Sequence, residues 1–346
     1  MILVTGGAGY VGSVLIHELL AQGESVRTID TQWYGADLAR HERLETIVAD
    51  FRSFDPRWLD GVSRVIHLGG LSNDPTADFA PDLNSAINVH ATRQLAEACA
   101  LSAAEQEREV RLLFASTCSV YYSQARLGDL NVVPMTEDVP IAPTANYSKS
   151  KRLAELELLR VAEREPLFCP VIVRKATLFG SSPRMRFDLV LNTFTLHAWR
   201  HRLITVHGHG EVWRPLLHVR DAADAYVHLL SAPQAKVRGE VFNLVHKNYR
   251  ILELAHWVAE VLELDRGAEV RVKRDRNVDN SARSYYVLAD KIAQTLGFQA
   301  ERGTREAVLS IWDALERGDF GAEPERDSRF FNIRWLKEAT LAGAAT

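Results

Sequence analysis

The chain opens with MILVTGGAGYVGSVLIHELLAQG, and no other stretch restricts the fold as strongly. A short apolar strand runs into glycines at 6, 9 and 12, spaced GxxGxxG, and a helical run follows that closes at Gly23. Glycine lets the backbone turn tightly and approach a ligand where a Cβ would stand in the way. A helix that begins at such a turn offers free N–H groups and a partial positive charge, which suits a diphosphate lying over Gly6, Gly9, Tyr10, Val11 and Gly12.

The same alternation continues. SVRTID, LETIVAD, RVIHLGG, RLLFAS and CPVIVRKA read as strands, with helical stretches at roughly 80–107 and in AELELLRVAERE. Strand–helix alternation argues a parallel sheet with helices on both faces. The expected fold is therefore α/β, a doubly wound parallel sheet of the Rossmann type over residues 1–175, with a return near 215–245. Residues 176–346 read as a smaller, partly interleaved α/β region. In it LITVHG and VFNLVH are strand-like, and RDAADAYVHLLSA and ILELAHWVAEVLEL are helical. At 346 residues, with 47% hydrophobic and 25% charged side chains, the chain is long enough for one large or two coupled domains.

Asp30 ends the strand after the glycine helix, about twenty residues from the loop, where an acid binds ribose hydroxyls and repels a 2′-phosphate. This favours NAD over NADP. Strand, glycines, helix and acid together outweigh a bare structural turn. Asp50, followed by Phe51, ends a further strand, and either meets an adenine amino group or caps a turn.

YSKSK places Tyr147 and Lys151 four apart at a helix opening. Alone, such a pair is two ordinary helix neighbours. A free tyrosine titrates near 10, too high for a base at neutral pH, and a nearby ammonium favours its phenolate.

With the glycine loop, this chain resembles the extended short-chain dehydrogenase/reductases, and among them the nucleotide-sugar epimerases and dehydratases, over most of its length to about Phe298. The resemblance implies a catalytic Tyr147 and Lys151, with Thr117 in FASTCSVYY as the third member; Tyr122 stands where the family has glycine. It implies that HLGG, with Leu68, Gly69 and Gly70, passes under the nicotinamide ribose, and that Asn88 serves the cofactor side. It implies substrate contacts from Ser72, Thr117, Thr177, Arg184, Arg186 and Asn192. It adds diphosphate contacts from Arg214, Arg276 and Arg283, whose planar forks can bond two oxygens. Thr177 replaces the family's asparagine. The substrate implied is a nucleotide-diphosphate sugar, with UDP, dTDP and GDP all open.

The chemistry implied is oxidation at C4 of the sugar. Hydride passes to NAD+, the 4-keto sugar turns over, and hydride returns on the other face. Net oxidation or reduction at C4 uses the same residues. The family's 4,6-dehydratases carry Asp-Glu after the threonine; this chain has Cys118-Ser119, which supplies no carboxyl group. No dedicated carboxylate-binding signature singles out the decarboxylases. A non-enzymatic NAD sensor would not need Thr117, Tyr147 and Lys151 together, and an enzyme for free secondary alcohols would not need Arg214.

A net charge of −4 does not suggest a nucleic-acid or membrane partner. Three cysteines form no CxxC pair, no metal site is expected, and no signal peptide or membrane span is seen, so a reducing cytoplasm is expected. His207 and His209 bracket a glycine without a third ligand. By the resemblance, the helices near 84–107 and 147–164 pair into a four-helix homodimer interface.

Overall fold

The computed structural model describes residues 1–35, 38, 40–121, 133–275 and 284–343. Five strands come first: β1 (Ile2–Thr5), β2 (Val26–Asp30), β3 (Leu44–Val48), β4 (Arg64–His67) and β5 (Val110–Thr117). With the strands Phe168–Lys175 and Val241–Leu244 they form one seven-stranded sheet. Its order is Val241–Leu244, Phe168–Lys175, β5, β4, β1, β2, β3, and every pairing is parallel. The chain begins mid-sheet and winds first one way, then the other. The crevice lies where the direction reverses, at the carboxyl ends of β1 and β4.

The strand sequences explain the burial. β1 is buried throughout, and β5 is buried from Val110 to Ser116, as expected for near-continuous apolar runs covered on both faces. The helices Gly12–Ala21 and Val219–Ser231 cover one face, and Thr92–Gln106 and Asn146–Ala162 the other.

The helical stretch expected over roughly 80–107 runs without interruption from Pro81 to Gln106, and a break at Ala80 separates it from a short helix before it. Ala80 precedes Pro81 with φ −132° and ψ 70°, because the proline ring disfavours helical backbone in the residue before it. The helices Asp74–Phe79 and Pro81–Ser85 flank this break. One π-helical turn, Ala86–Ala91, then carries Asn88 into Thr92–Gln106. Such turns recur at functional sites.

Beyond residue 176 lie a three-stranded sheet (Thr177–Phe179, Trp213–His218, Lys247–Arg250) and a two-stranded one (Leu203–His207, Arg271–Asp275). Val241–Leu244 returns to the large sheet, within the stretch where a return was expected. The helix Asn332–Leu341 also returns. It packs on Asp74–Phe79, and Trp335 stacks on Trp33 at 5.2 Å and lies 4.9 Å from Tyr34, centroid to centroid. Residues 176–346 therefore do not confine themselves to the substrate side.

Cys99, Cys118 and Cys169 are buried and free. Among the described residues no His, Cys, Asp or Glu group could hold a metal ion, and no helix is long and apolar enough to cross a membrane.

Candidate active site

The glycine loop shows which of its glycines serve the fold and which a ligand. Gly6 has φ +74°, and a Cβ there would lie 2.7 Å from the Gly69 nitrogen; at Gly12 it would lie 2.3 Å from the Gly6 carbonyl oxygen. Both are required by the packing itself. At Gly9 the Cβ would meet only the Gly6 carbonyl oxygen, at 3.1 Å, and the position faces the cleft that Tyr10, Val11 and Gly12 also line. The backbone here leaves a cradle open to the cleft.

Asp30 stands at the end of β2. One carboxylate oxygen accepts the Ala8 N–H at 3.0 Å and the other the Gln32 N–H at 2.7 Å, while burial raises its pKa. It borders a pocket with Trp33, Tyr34, Asp50, Phe51, Leu68, Gly69 and Gly70, the shape and polarity of an adenosine site. Asp50 borders this pocket, and it caps the turn Phe51–Ser53 by accepting the Arg52 N–H at 2.8 Å. The residues present thus fit NAD.

The reacting end lies at the tips of β5 and the helix Asn146–Ala162. Tyr147 and Thr117 both line the cleft, and the Thr117 hydroxyl lies near enough to lower the Tyr147 pKa. The Thr117 hydroxyl donates to Ser119 Oγ at 3.0 Å and accepts the Ser119 N–H at 3.1 Å. Burial pushes the Tyr147 hydroxyl up to about 12, and the cation that opposes this is Arg186.

Lys151, expected to favour the Tyr147 phenolate and to hold the nicotinamide ribose, lies behind Gly70. Its Nζ sits 4.8 Å from the centroid of the Phe114 ring, and burial lowers its pKa to about 8 against the attraction of Glu155. Asn88 lies behind the same glycine and does not line the cleft. Its Nδ2 donates to the Leu71 carbonyl, Asn84 Oδ1 and Ser150 Oγ, while its buried Oδ1 has no partner. A Cβ on Gly70 would lie 2.7 Å from that oxygen and 3.2 Å from Lys151 Nζ. Asn88 and Lys151 thus support the floor beneath Gly70.

Of the substrate residues expected, Ser72, Thr117, Thr177, Arg184, Arg186 and Arg214 line one cleft. Arg186 makes a two-pronged pair with Asp188, at 2.9 and 3.0 Å, and donates to Ser72 Oγ at 3.1 Å. Arg214 lies 5.3 Å from the Tyr285 ring centroid and donates to the Trp213 carbonyl at 2.9 Å.

Arg184 turns toward the cofactor side instead. Its guanidinium lies 4.0 Å over the Tyr34 ring and donates to Asn332 Oδ1 at 2.6 Å, and its buried Nε has no partner. Asn192 does not line the cleft at all. Its amide is used inside the fold, by Gly180 N–H, the Tyr10 hydroxyl and the Arg186 carbonyl. Arg276 and Arg283 lie outside the described residues.

Lining residues that were not anticipated include Ser119, Lys175, Tyr285 and Asn332. Asn332 Nδ2 donates to Ser72 Oγ at 2.8 Å, so residues 260 positions apart share one wall. Cys118, by contrast, is buried, its Sγ directed at the Arg174 carbonyl at 3.0 Å, and it packs as a small apolar side chain.

The profile of the NAD dependent epimerase/dehydratase family matches residues 2–244. UDP-glucuronic acid decarboxylase 1 of Danio rerio is 30% identical over 246 residues, covering 67% of this chain but 54% of the relative, so the chain spans about half of that protein. UDP-glucose 4-epimerase of Dictyostelium discoideum is 25% identical over 340 residues, covering 90% of this chain and 94% of the relative. Among solved structures, MoeE5 in complex with UDP-glucuronic acid and NAD superposes with a TM-score of 0.77 at 25% identity, covering 92% of this chain and 99% of that one. With this match over the cofactor loop, the Thr117–Tyr147 pair and the whole parallel sheet, the chain belongs to the NAD dependent epimerase/dehydratase family.

Proposed function

We propose that the protein is a nucleotide-sugar 4-epimerase that works by transient oxidation at C4. The observation that carries this reading is that Thr117 and Tyr147 line one cleft together with the glycine loop and Arg214. Bound NAD supplies a hydride acceptor and, on return, a donor. The protein's part is to hold the sugar hydroxyl against Thr117 and Tyr147 and to move its proton. Burial leaves the Tyr147 hydroxyl too weak an acid to serve, so the positive charge of Arg186 and of bound NAD+ must bring it down.

Elimination of water requires carboxyl groups beside the threonine. Cys118 is turned into the core and Ser119 is hydrogen-bonded to Thr117, which disfavours a dehydratase. A relative named UDP-glucose 4-epimerase matches along nearly its whole length, and this supports the epimerase over net oxidation. Arg214 is the residue we assign to the substrate diphosphate, and Arg214→Ala separates a nucleotide-sugar enzyme from one acting on free alcohols.

We also infer a homodimer. The helices Thr92–Gln106 and Asn146–Ala162 pack side by side and leave Leu101, Leu153 and Leu156 exposed, an apolar face suited to a second copy. Three buried, unpaired cysteines suit a reducing cytoplasm.

The test is incubation with UDP-, dTDP- and GDP-sugars, with product mass, isomer separation and near-ultraviolet absorbance followed together. An isomer of unchanged mass without accumulating NADH supports the reading. Stoichiometric NADH overturns it in favour of a dehydrogenase, and loss of water in favour of a dehydratase.

A further inference from the structure

Lys175 ends the strand Phe168–Lys175, pairs in register with Thr117, and lines the same cleft as Thr117, Tyr147 and Arg186. Its Nζ lies 5.7 Å from the centroid of the Tyr226 ring, whose buried hydroxyl has no hydrogen-bond partner. The charges nearest in effect are the cations Lys151 and Arg186; with burial they lower the Lys175 pKa to about 7.

Only some of the neighbouring cations are compensated. Arg174 is paired with Glu155 and Arg186 with Asp188. Lys151, Arg184 and Arg214, like Lys175, have no carboxylate within ion-pair distance among the described residues. An ammonium held in a cleft without a counter-charge destabilises the empty protein, and a ligand that brings a negative charge to it removes that penalty. The diphosphate is not the natural candidate, because Arg214 is already assigned to it. The register partner of Lys175 is the threonine that marks the reacting carbon, so the missing charge belongs on the sugar, close to C4.

We propose that Lys175, with Arg186 beside it, receives a carboxylate on the sugar, and that the substrates are nucleotide-diphosphate-linked uronic acids. The inference rests on the C4-oxidation reading above. It also bears on the outcome of that oxidation. A C6 carboxylate becomes β to the new C4 ketone. Breaking the C5–C6 bond would release carbon dioxide, leave its electron pair as an enolate, and move the negative charge from carboxylate to ketone oxygen. An ammonium fixed on the carboxylate stabilises the state before that transfer. Lys175 therefore favours return of hydride with the carbon skeleton intact.

The experiment compares NAD-loaded wild type, Lys175→Met and Lys175→Arg with UDP-glucuronic acid and UDP-glucose, by kcat/KM and by calorimetric binding. Wild type is expected to prefer the acid about tenfold or more, Lys175→Met to lose most of that preference, and Lys175→Arg to keep it. A wild type that prefers UDP-glucose, or a Lys175→Met variant whose ratio stays within about twofold of wild type, overturns the proposal. If neither sugar is isomerised or reduces the cofactor, the C4 reading fails; the calorimetric ratio between the two sugars and its dependence on Lys175 still decide the carboxylate site.

Discussion

Arg174 and Glu155 form a doubly hydrogen-bonded ion pair inside the protein, at 2.9 and 2.7 Å, joining the last strand before the cleft to the helix that carries Tyr147. Glu155 also accepts the Ser116 hydroxyl at 2.5 Å, and Arg174 donates to the Tyr121 hydroxyl at 2.7 Å. One carboxylate thus fixes β5, the helix Asn146–Ala162 and the strand Phe168–Lys175 relative to one another. Removing one partner leaves a buried charge uncompensated, so Glu155→Ala is expected to lose about 3–5 kcal/mol of stability. Denaturant unfolding measures this; a loss under about 1 kcal/mol would assign the pair no structural role.

Tyr147→Phe is expected to lower turnover by roughly 10³–10⁴ and Thr117→Val by roughly 10², the range for a positioned acid–base group. Both hydroxyls face the cleft and neither supports the core, so NAD binding by calorimetry should be unchanged. A Tyr147→Phe enzyme with near-normal turnover would move the acid–base role elsewhere.

The two buried lysines make stability depend on pH. Their unfolded values lie at 10.5, whereas burial lowers Lys151 to about 8 and Lys175 to about 7. Glu155 holds Lys151 up, while Lys151 and Arg186 push Lys175 down. Between the folded and unfolded values the unfolded chain binds more protons, so the destabilisation from these lysines is full below about 7, is relieved as pH rises towards about 10.5, and is absent above. The advantage of Lys175→Met over wild type should therefore shrink as pH rises through that window. An advantage that grows with pH would contradict the depressed value.

Asp30→Ala removes the acceptor expected for the adenosine ribose and exposes the Ala8 and Gln32 N–H groups. NAD affinity should fall about tenfold, with NADP losing less. Equal binding of both dinucleotides by the wild type would remove Asp30 from the selection.

Leu153→Glu combined with Leu156→Glu places two charges on the exposed face of the helix Asn146–Ala162. Light scattering should show a dimer for the wild type and a monomer for the variant. A wild-type monomer would end the homodimer reading.

What the sequence made legible was local or periodic. Gly6, Gly12 and Asp30 sit within one strand–turn–helix–strand unit, and their requirement follows from backbone geometry that thirty residues determine. Tyr147 and Thr117 became legible only together, because each is commonplace alone. Lys175 looked like the polar end of a strand; its meaning lies in what surrounds it, which depends on the register with Thr117 and the approach of Arg186. Asn192 was misjudged because an amide that holds Tyr10 and Gly180 in place looks, as a letter, like one that holds a sugar. Lys151 fell where expected on the helix, yet its side chain lies behind Gly70, a matter of rotamer and packing that spacing does not encode.

The wall shared by Ser72 and Asn332, and the stack of Trp335 on Trp33, give cofactor loading a place in time. The glycine cradle leaves the ribosome well before the helix Asn332–Leu341. A nascent chain can fold its sheet and still lack the roof over the adenosine pocket. Durable capture of the dinucleotide therefore awaits synthesis of the helix Asn332–Leu341. Release from the finished protein requires that roof to lift, so a truncation ahead of Asn332 should turn a resident cofactor into a passing one.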